Sequence, residues 1–413
     1  MFVRSLAKKF HTTAALVAVL VIAGITQTLS SPATALDPSQ VASTFNRLVN
    51  HSVLDDASIV LVDESDNQIV YERNASSLRK PASVLKLFSA TAAYTYLDPA
   101  QVFPTTVSVG TTPKSIVIQG SLDPWFANDN TVATKMGRTS LPRIEYNSLS
   151  ALKTNNAGSI KHSTIYYSNL YVQDVAALSS FYRKHGVVPT FKRVSDAEAS
   201  SLAGTELFTS QSPTLREILD WTLTWSDNVL AERIARLASA AAGNSADDAG
   251  VSKTFKTLLS GFGIDGSNIV VKDASGLSRD NRVSAHQIAQ LLLRIKSDKK
   301  FEPLLGGLPV GGISGTLRKR FIETAPDAVG LVRAKTGTLN GTANLAGYVE
   351  AGDREYAFVI IADRLSKSGA SSKSARDLVD RILGKLAAPT IKGTDIFGAL
   401  NGESETALVQ SFN

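Results

Sequence analysis

The sequence contains no cysteine. That absence excludes disulfides, thiol nucleophiles and thiolate-bound metals together, so stability has to come from a packed core. Histidine is scarce, with five in 413 residues, and His11, His51, His162, His185 and His286 fall in no arrangement that marks a catalytic base. There is no His-Glu-x-x-His and no close ligand cluster, which argues against a metal peptidase and predicts no metal and no cofactor. Long apolar runs are also missing after the N-terminus. The one near the start, from about Ala14 to Ile25, falls short of the ~20 residues a spanning helix needs.

What stands around that run reads as an export signal. Arg4, Lys8 and Lys9 precede it, and Ala33-Thr34-Ala35 follows as a small-residue cleavage site, with the mature chain starting at Leu36. An uncleaved N-terminal anchor is the competing reading, and membrane contact is expected only through this segment. Either way the body of the protein is expected beyond the cytoplasmic membrane, in periplasm, cell wall or medium. Losing the signal lowers the formal charge from +6 to +3, too little to suggest a nucleic-acid partner. Apolar residues at 43% and charged residues at 19% describe a globular protein, and the length suggests two or three domains.

Residues 57 to 73 read as two strands around a Ser65-Asp66-Asn67 turn. Pro81 punctuates the chain before Ser83, and a helix-compatible apolar run follows it to Ala93. Residues 99 to 205 change in texture, with short apolar runs, many Thr, Ser and Asn residues, and no long helical periodicity before Val172; they read as an inserted domain. Helical patterning returns at 212–219 and 229–235. Strand-like runs at 331–336, 342–350 and 355–362 precede an amphipathic helix at 374–386. The expected organisation is a signal at 1–35, a catalytic domain split into 36–98 and 206–388, the insert at 99–205, and a patternless tail at 389–413.

Three short signatures occur in order: Ser83-Val84-Leu85-Lys86, Ser226-Asp227-Asn228 and Lys335-Thr336-Gly337-Thr338. Each is weak alone, since Ser-x-x-Lys recurs at Ser5, Ser77, Ser150 and Ser297, and Ser-Asp-Asn at Ser65. Individually they also read as a helix cap, an inter-helix turn and a strand end. Context singles out Ser83, which lies between a proline and a long apolar helix with Lys86 one turn on. A serine hydroxyl needs a base, and a lysine one turn away can serve if burial and a second cation, Lys335, depress its pKa from ~10.4. The backbone N–H groups of Ser83 and Thr338 are expected to hold the oxyanion. Ser226 can pass the proton to a departing amine, and Asn228 can orient Lys86 and bind a substrate amide. Asp227 is expected to face away. Lys335 with the Thr336 and Thr338 hydroxyls suits a terminal carboxylate, and Gly337 is expected to let substrate backbone approach the strand.

With these residues in hand, the chain resembles the D-alanyl-D-alanine carboxypeptidase/endopeptidase family of low-molecular-mass class C penicillin-binding proteins. The likeness extends to Pro81–Leu87, Ser212–Leu215, Asn228–Glu232, Asp273–Arg279, Leu308–Val310 and Gly315–Arg318, over about 57–98 and 205–387. It implies an α+β fold of the penicillin-binding/β-lactamase-like transpeptidase type: an antiparallel sheet flanked by helices, beside an all-helical region, with the cleft between. It also implies peptidoglycan stem peptides as substrates and β-lactam antibiotics as inhibitors. The insert matches the family's long insertion, with Gly120–Pro124 resembling its Asp-Pro turn, but is shorter than the resemblance implies, which points to a missing or reduced accessory domain. Ala274 stands where the family usually has glycine and is expected to be tolerated.

Two other functions are weighed. A β-lactamase needs a glutamate that activates water against its acyl-enzyme, and Glu232, Glu302 and Glu323 are poorly placed for that. A non-catalytic wall-binding scaffold should have lost a catalytic residue, yet Ser83, Lys86, Ser226, Asn228 and Lys335 are all present. Trimming a terminal D-alanine and cutting a cross-link both remain open, because one acyl-transfer site serves either.

Overall fold

The structure, a computed structural model, describes residues 38–155, 160 and 162–387. The expected signal and tail lie outside these residues. Five antiparallel strands form the main sheet in the order β10-β11-β12-β1-β2: β1 Ser58–Asp63, β2 Gln68–Arg73, β10 Val332–Leu339, β11 Thr342–Ala351 and β12 Arg354–Ala362. A central strand buried on both faces needs an apolar run, and β1 (Ser-Ile-Val-Leu-Val-Asp) is buried throughout, with Ile59 to Val62 apolar and the polar Ser58 and Asp63 at its ends hydrogen-bonded. Its alternation divides the core. Val60 and Val62 join the cluster under α10 (Ala285–Ser297), while Ile59 and Leu61 join the cluster under α1 (Pro38–Val49) and α12 (Gly369–Leu386).

The helical region is built around α2 (Lys86–Tyr96), packed by α7 (Leu215–Trp225), α8 (Asn228–Ala241) and α9 (Asp248–Gly261), with the short α11 (Glu302–Gly306) at its edge. Every α2 residue from Lys86 to Tyr94 is buried, which explains why its sequence is apolar on all sides rather than striped. A two-residue ladder, β3 (Leu78–Arg79) with β9 (Val283–Ser284), leads the chain from the sheet toward this region.

A second five-stranded sheet comprises β4 Pro104–Gly110, β5 Ser115–Gln119, β6 Thr164–Ser168, β7 Thr190–Arg193 and β8 Ala203–Gln211, in the order β7-β6-β5-β4-β8. It is mixed, with β5-β6 and β6-β7 parallel, and has its own apolar core. Its last strand continues past residue 205 to Gln211. Four helices accompany it: α3 (Asn130–Met136), α4 (Leu141–Asn155), α5 (Val172–Lys184) and α6 (Asp196–Leu202). Helix α4 corrects the expectation of no long helix before Val172. Leu141, Ile144, Leu149 and Leu152 do follow helical spacing and are buried, but Asn147, Ser148 and Ser150 between them are weak helix formers, and Ser148 Oγ accepts from the Tyr182 hydroxyl in the core.

Candidate active site

Site geometry starts from the turn carrying Ser83. Ala82 to Leu85 form one 3₁₀ turn leading into α2, so Ser83 precedes the α-helix proper. Ala82 has φ +48°, a left-handed conformation costly for a residue with a Cβ. Three neighbours hold it there. The Asn344 amide donates to the carbonyls of Lys80 (2.8 Å) and Pro81 (2.9 Å). Gly276, at φ +84°, lies so close that a Cβ on it would meet the Ala82 carbonyl oxygen at 1.8 Å. Gly337 would likewise meet the Pro81 carbonyl oxygen at 2.7 Å. Gly337 thus has a reason within the protein itself: where its side chain would stand, the Pro81 backbone stands.

Lys86 is fully buried. Its Nζ donates to Ser83 Oγ at 2.9 Å, Asn228 Oδ1 at 2.7 Å and the Ser275 carbonyl at 2.7 Å. Burial lowers its pKa to about 8, against the charges of Asp273, Asp227 and Glu232, which raise it. Of the two anticipated causes, desolvation is the one that lowers Lys86, while the repulsion between the two lysines falls on Lys335. Lys335 is lowered well below the usual lysine range, by burial first and the Lys86 charge second.

Asp227 faces away from the cleft, capping α8 by accepting the Leu230 N–H at 3.0 Å. That cap sets the neighbouring side chains: Ser226, left-handed at φ +61°, ends α7, and Asn228 begins α8. Lys335 Nζ donates to Ser226 Oγ at 2.9 Å, and Thr336 Oγ1 lies 2.8 Å from Thr316 Oγ1. Ser83, Lys86 and Asn228 therefore form one hydrogen-bonded group and Ser226 with Lys335 a second, the two close enough for the Lys86 charge to act on Lys335, with Thr336 beside the second. The copy at Ser65 forms the β1-β2 turn, with Asn67 at φ +59°. None of His51, His162, His185 and His286 hydrogen-bonds to any of these five residues; His185, for instance, lies against Phe181.

Strand parity fixes which backbone groups of β10 are free. The Ala334 N–H donates to Pro309 and the Val332 carbonyl accepts from Gly311, so even-numbered residues direct their backbone groups away from β11. Thr336 and Thr338 share that parity on the edge alongside the Ser83 turn, where the Thr336 carbonyl accepts from Lys335 Nζ at 3.1 Å.

Sequence reading missed several supports. Glu232 Oε1 accepts the N–H groups of Ala274 (2.9 Å) and Ser275 (2.8 Å), and Asp273 accepts that of Gly276 (2.7 Å), shaping the loop whose carbonyl binds Lys86. Ala274 is buried without a positive φ, so the methyl is tolerated. Asn344 left a signal, being the one amide in an otherwise apolar and buried stretch of β11.

An antiparallel sheet beside a helical region, with a serine-lysine pair facing a serine and a second lysine, defines the penicillin-binding and β-lactamase-like class of fold. Among solved structures, penicillin binding protein 4 from Haemophilus influenzae in complex with a β-lactam superposes with TM-score 0.63 at 20% identity, covering 84% of this chain and 98% of that one. The chain belongs to the D-Ala-D-Ala carboxypeptidase 3 (S13) family, whose profile matches residues 46–136 and 177–386. Carboxypeptidase DacB of Mycolicibacterium smegmatis is 36% identical over 186 residues, 44% of this chain and 40% of that protein. The D-alanyl-D-alanine carboxypeptidase of an Actinomadura species is 36% identical over 174 residues, 41% of this chain and 31% of that one. The matched stretches thus span less than half of either relative.

Proposed function

We propose that this protein is a serine D-alanyl-D-alanine peptidase acting on peptidoglycan stem peptides through an acyl-enzyme on Ser83. The observation that carries the reading is the surroundings of Lys86. Asn228 Oδ1 and the Ser275 carbonyl engage two of its N–H groups, so in the neutral amine the lone pair faces Ser83 Oγ at 2.9 Å. Lys86 takes the hydroxyl proton as Oγ attacks the D-alanyl carbonyl carbon. The oxyanion is met by the N–H groups of Ser83 and Thr338, the latter on the free edge of β10; removing one such donor typically costs ~2.7–4 kcal/mol.

When the C–N bond breaks, the leaving amine takes the proton that Lys86 received from Ser83, relayed through the Ser226 hydroxyl, which is bonded to Lys335, and Lys86 is neutral again. Lys335, Thr336 and Thr338 bind the carboxylate of the departing residue. Water then attacks the ester and gives a proton to Lys86, which passes it to Ser83 Oγ as the acyl–oxygen bond breaks, so the freed acid leaves Ser83 restored. The family's carboxypeptidase name supports hydrolysis of the terminal residue. The basic start, apolar run and Ala33–Ala35 of the N-terminal segment support action outside the cytoplasmic membrane. Among the described residues no helix is long and apolar enough to cross a membrane.

A β-lactam offers its ring amide to the same serine, which is the basis for expecting inhibition. Glu232, the glutamate nearest the second motif, has an oxygen committed to two backbone N–H groups, so fast deacylation is not expected. The test is mass spectrometry after brief exposure to penicillin: one adduct, mapped to Ser83, lasting hours and absent from Ser83→Ala. No adduct on folded wild type would overturn the reading in favour of a non-catalytic wall-binding protein.

A further inference from the structure

Beside the carboxylate-binding end of the cleft stands a cation that the proposed reaction does not use. Arg318 follows the 3₁₀ turn Gly315–Leu317, and its guanidinium carbon lies 5.4 Å from the ring centroid of Trp225. Three arginines held in the interior are neutralised: Arg79 pairs with Asp56, Arg233 with Asp174 and Arg320 with Asp380. The Arg318 guanidinium is exposed and has no ion pair or hydrogen bond among the described residues. Stacking on an aromatic face orients the group while leaving its N–H edge open to a carboxylate.

The mount is rigid. Gly315, at φ +52°, presses on α7, where a Cβ would meet the Thr224 carbonyl oxygen at 2.3 Å, and Leu317 is wholly buried. Thr316 within the same turn contacts Thr336, and Trp225, 41% exposed, directly precedes Ser226. Arg318 and Trp225 thus flank the leaving-group side. A substrate whose leaving group is one D-alanine carries one carboxylate there, and Lys335 with the threonines suffices for it. A second, preoriented cation beyond Thr316 has a counterpart only when the leaving amine belongs to a longer chain bearing another carboxylate.

We propose that Arg318, stacked on Trp225, is a specificity-determining residue that binds a carboxylate of an extended leaving group, so that cross-linked stem peptides are favoured over uncross-linked ones. This rests on the function proposed above. The experiment compares kcat/KM for a cross-linked stem-peptide dimer and an uncross-linked pentapeptide, together with the rate of penicillin acylation, in wild type, Arg318→Gln, Arg318→Lys and Trp225→Leu. Arg318→Gln should lower kcat/KM on the dimer by about tenfold and change the pentapeptide and penicillin rates by less than about twofold. Arg318→Lys should recover part of the loss, and Trp225→Leu should reproduce it. Equal losses on both peptides, an unmoved ratio, or a penicillin-reactive wild type that leaves the dimer intact would overturn this inference alone. A wild type inert toward penicillin and both peptides would overturn the proposed function along with it.

Discussion

Lys86 poses the first question at the scale of single residues, because it can accept a proton only when neutral. With burial holding its pKa at about 8, the acylation rate should rise with pH along a limb centred near that value. Asp227 is one of the charges that keep the ammonium form in place. In Asp227→Asn the cap on α8 survives, since asparagine caps helices as well as aspartate does, while the negative charge is gone. The limb should therefore move to lower pH, and acylation at pH 7 should rise roughly twofold. Stopped-flow acylation across pH measures it; a limb that stays in place would mean Asp227 does not act on Lys86. Gly337 teaches a different lesson at this scale. A glycine in a motif suggests room for a ligand, yet here the room is taken by the Pro81 carbonyl, and no property of the motif itself distinguishes the two.

Turn, loop and strand edge meet around Ser83, and their contact is testable at the scale of elements. Gly276 lets the Asp273–Arg279 loop press against the strained Ala82 turn. Gly276→Ala should cost ~1–3 kcal/mol in denaturant unfolding, as overpacking does, and slow penicillin acylation by about a hundredfold, because a small displacement of the nucleophile is enough. A stable variant acylated at the wild-type rate would show that the loop does not set the turn. Much of this layer was legible beforehand. The strands β1, β2, β10, β11 and β12 announce themselves by β-branched, apolar runs broken at turns, and Ser226 and Asp227 lie at a helix junction as their types suggest. Helix α4 was hidden because its polar residues, some of them buried and bonded, blur the period that sequence reading depends on.

Over the whole molecule, the order of the motifs in the sequence says that they belong together but not what holds them together. Glu232, Asn344 and the Ser275 carbonyl do that through contacts between segments far apart in the chain, which a single sequence does not record. The same long-range assembly produces an electrostatic fault far from the cleft. Glu64 of the β1-β2 turn is pushed up to about 8 by burial and by the charge of Glu355, with Lys296 offsetting part of it. A carboxyl raised in the folded state contributes stability below its unfolded pKa of ~4.3 that is lost as pH rises toward 8. Glu64→Gln should therefore match wild type near pH 4 and exceed its Tm by a few degrees at pH 8, as scanning calorimetry would record; an identical gap at both pH values would rule out the titration as cause.

The same long-range packing lines up Trp125, which lies between β5 and α3, with Trp221 and Trp225 of α7, at ring-centroid spacings of 5.5 and 5.6 Å. Arg138 stacks on one end of the row and Arg318 on the other. These three are all the tryptophans the chain has. At such spacings the indole transitions couple, so the near-ultraviolet circular dichroism and emission of the native protein report on a single row. One end of that row lies at Trp125 and the other at Trp225 directly before Ser226, which makes the tryptophan signal a built-in optical gauge of the surroundings of the cleft.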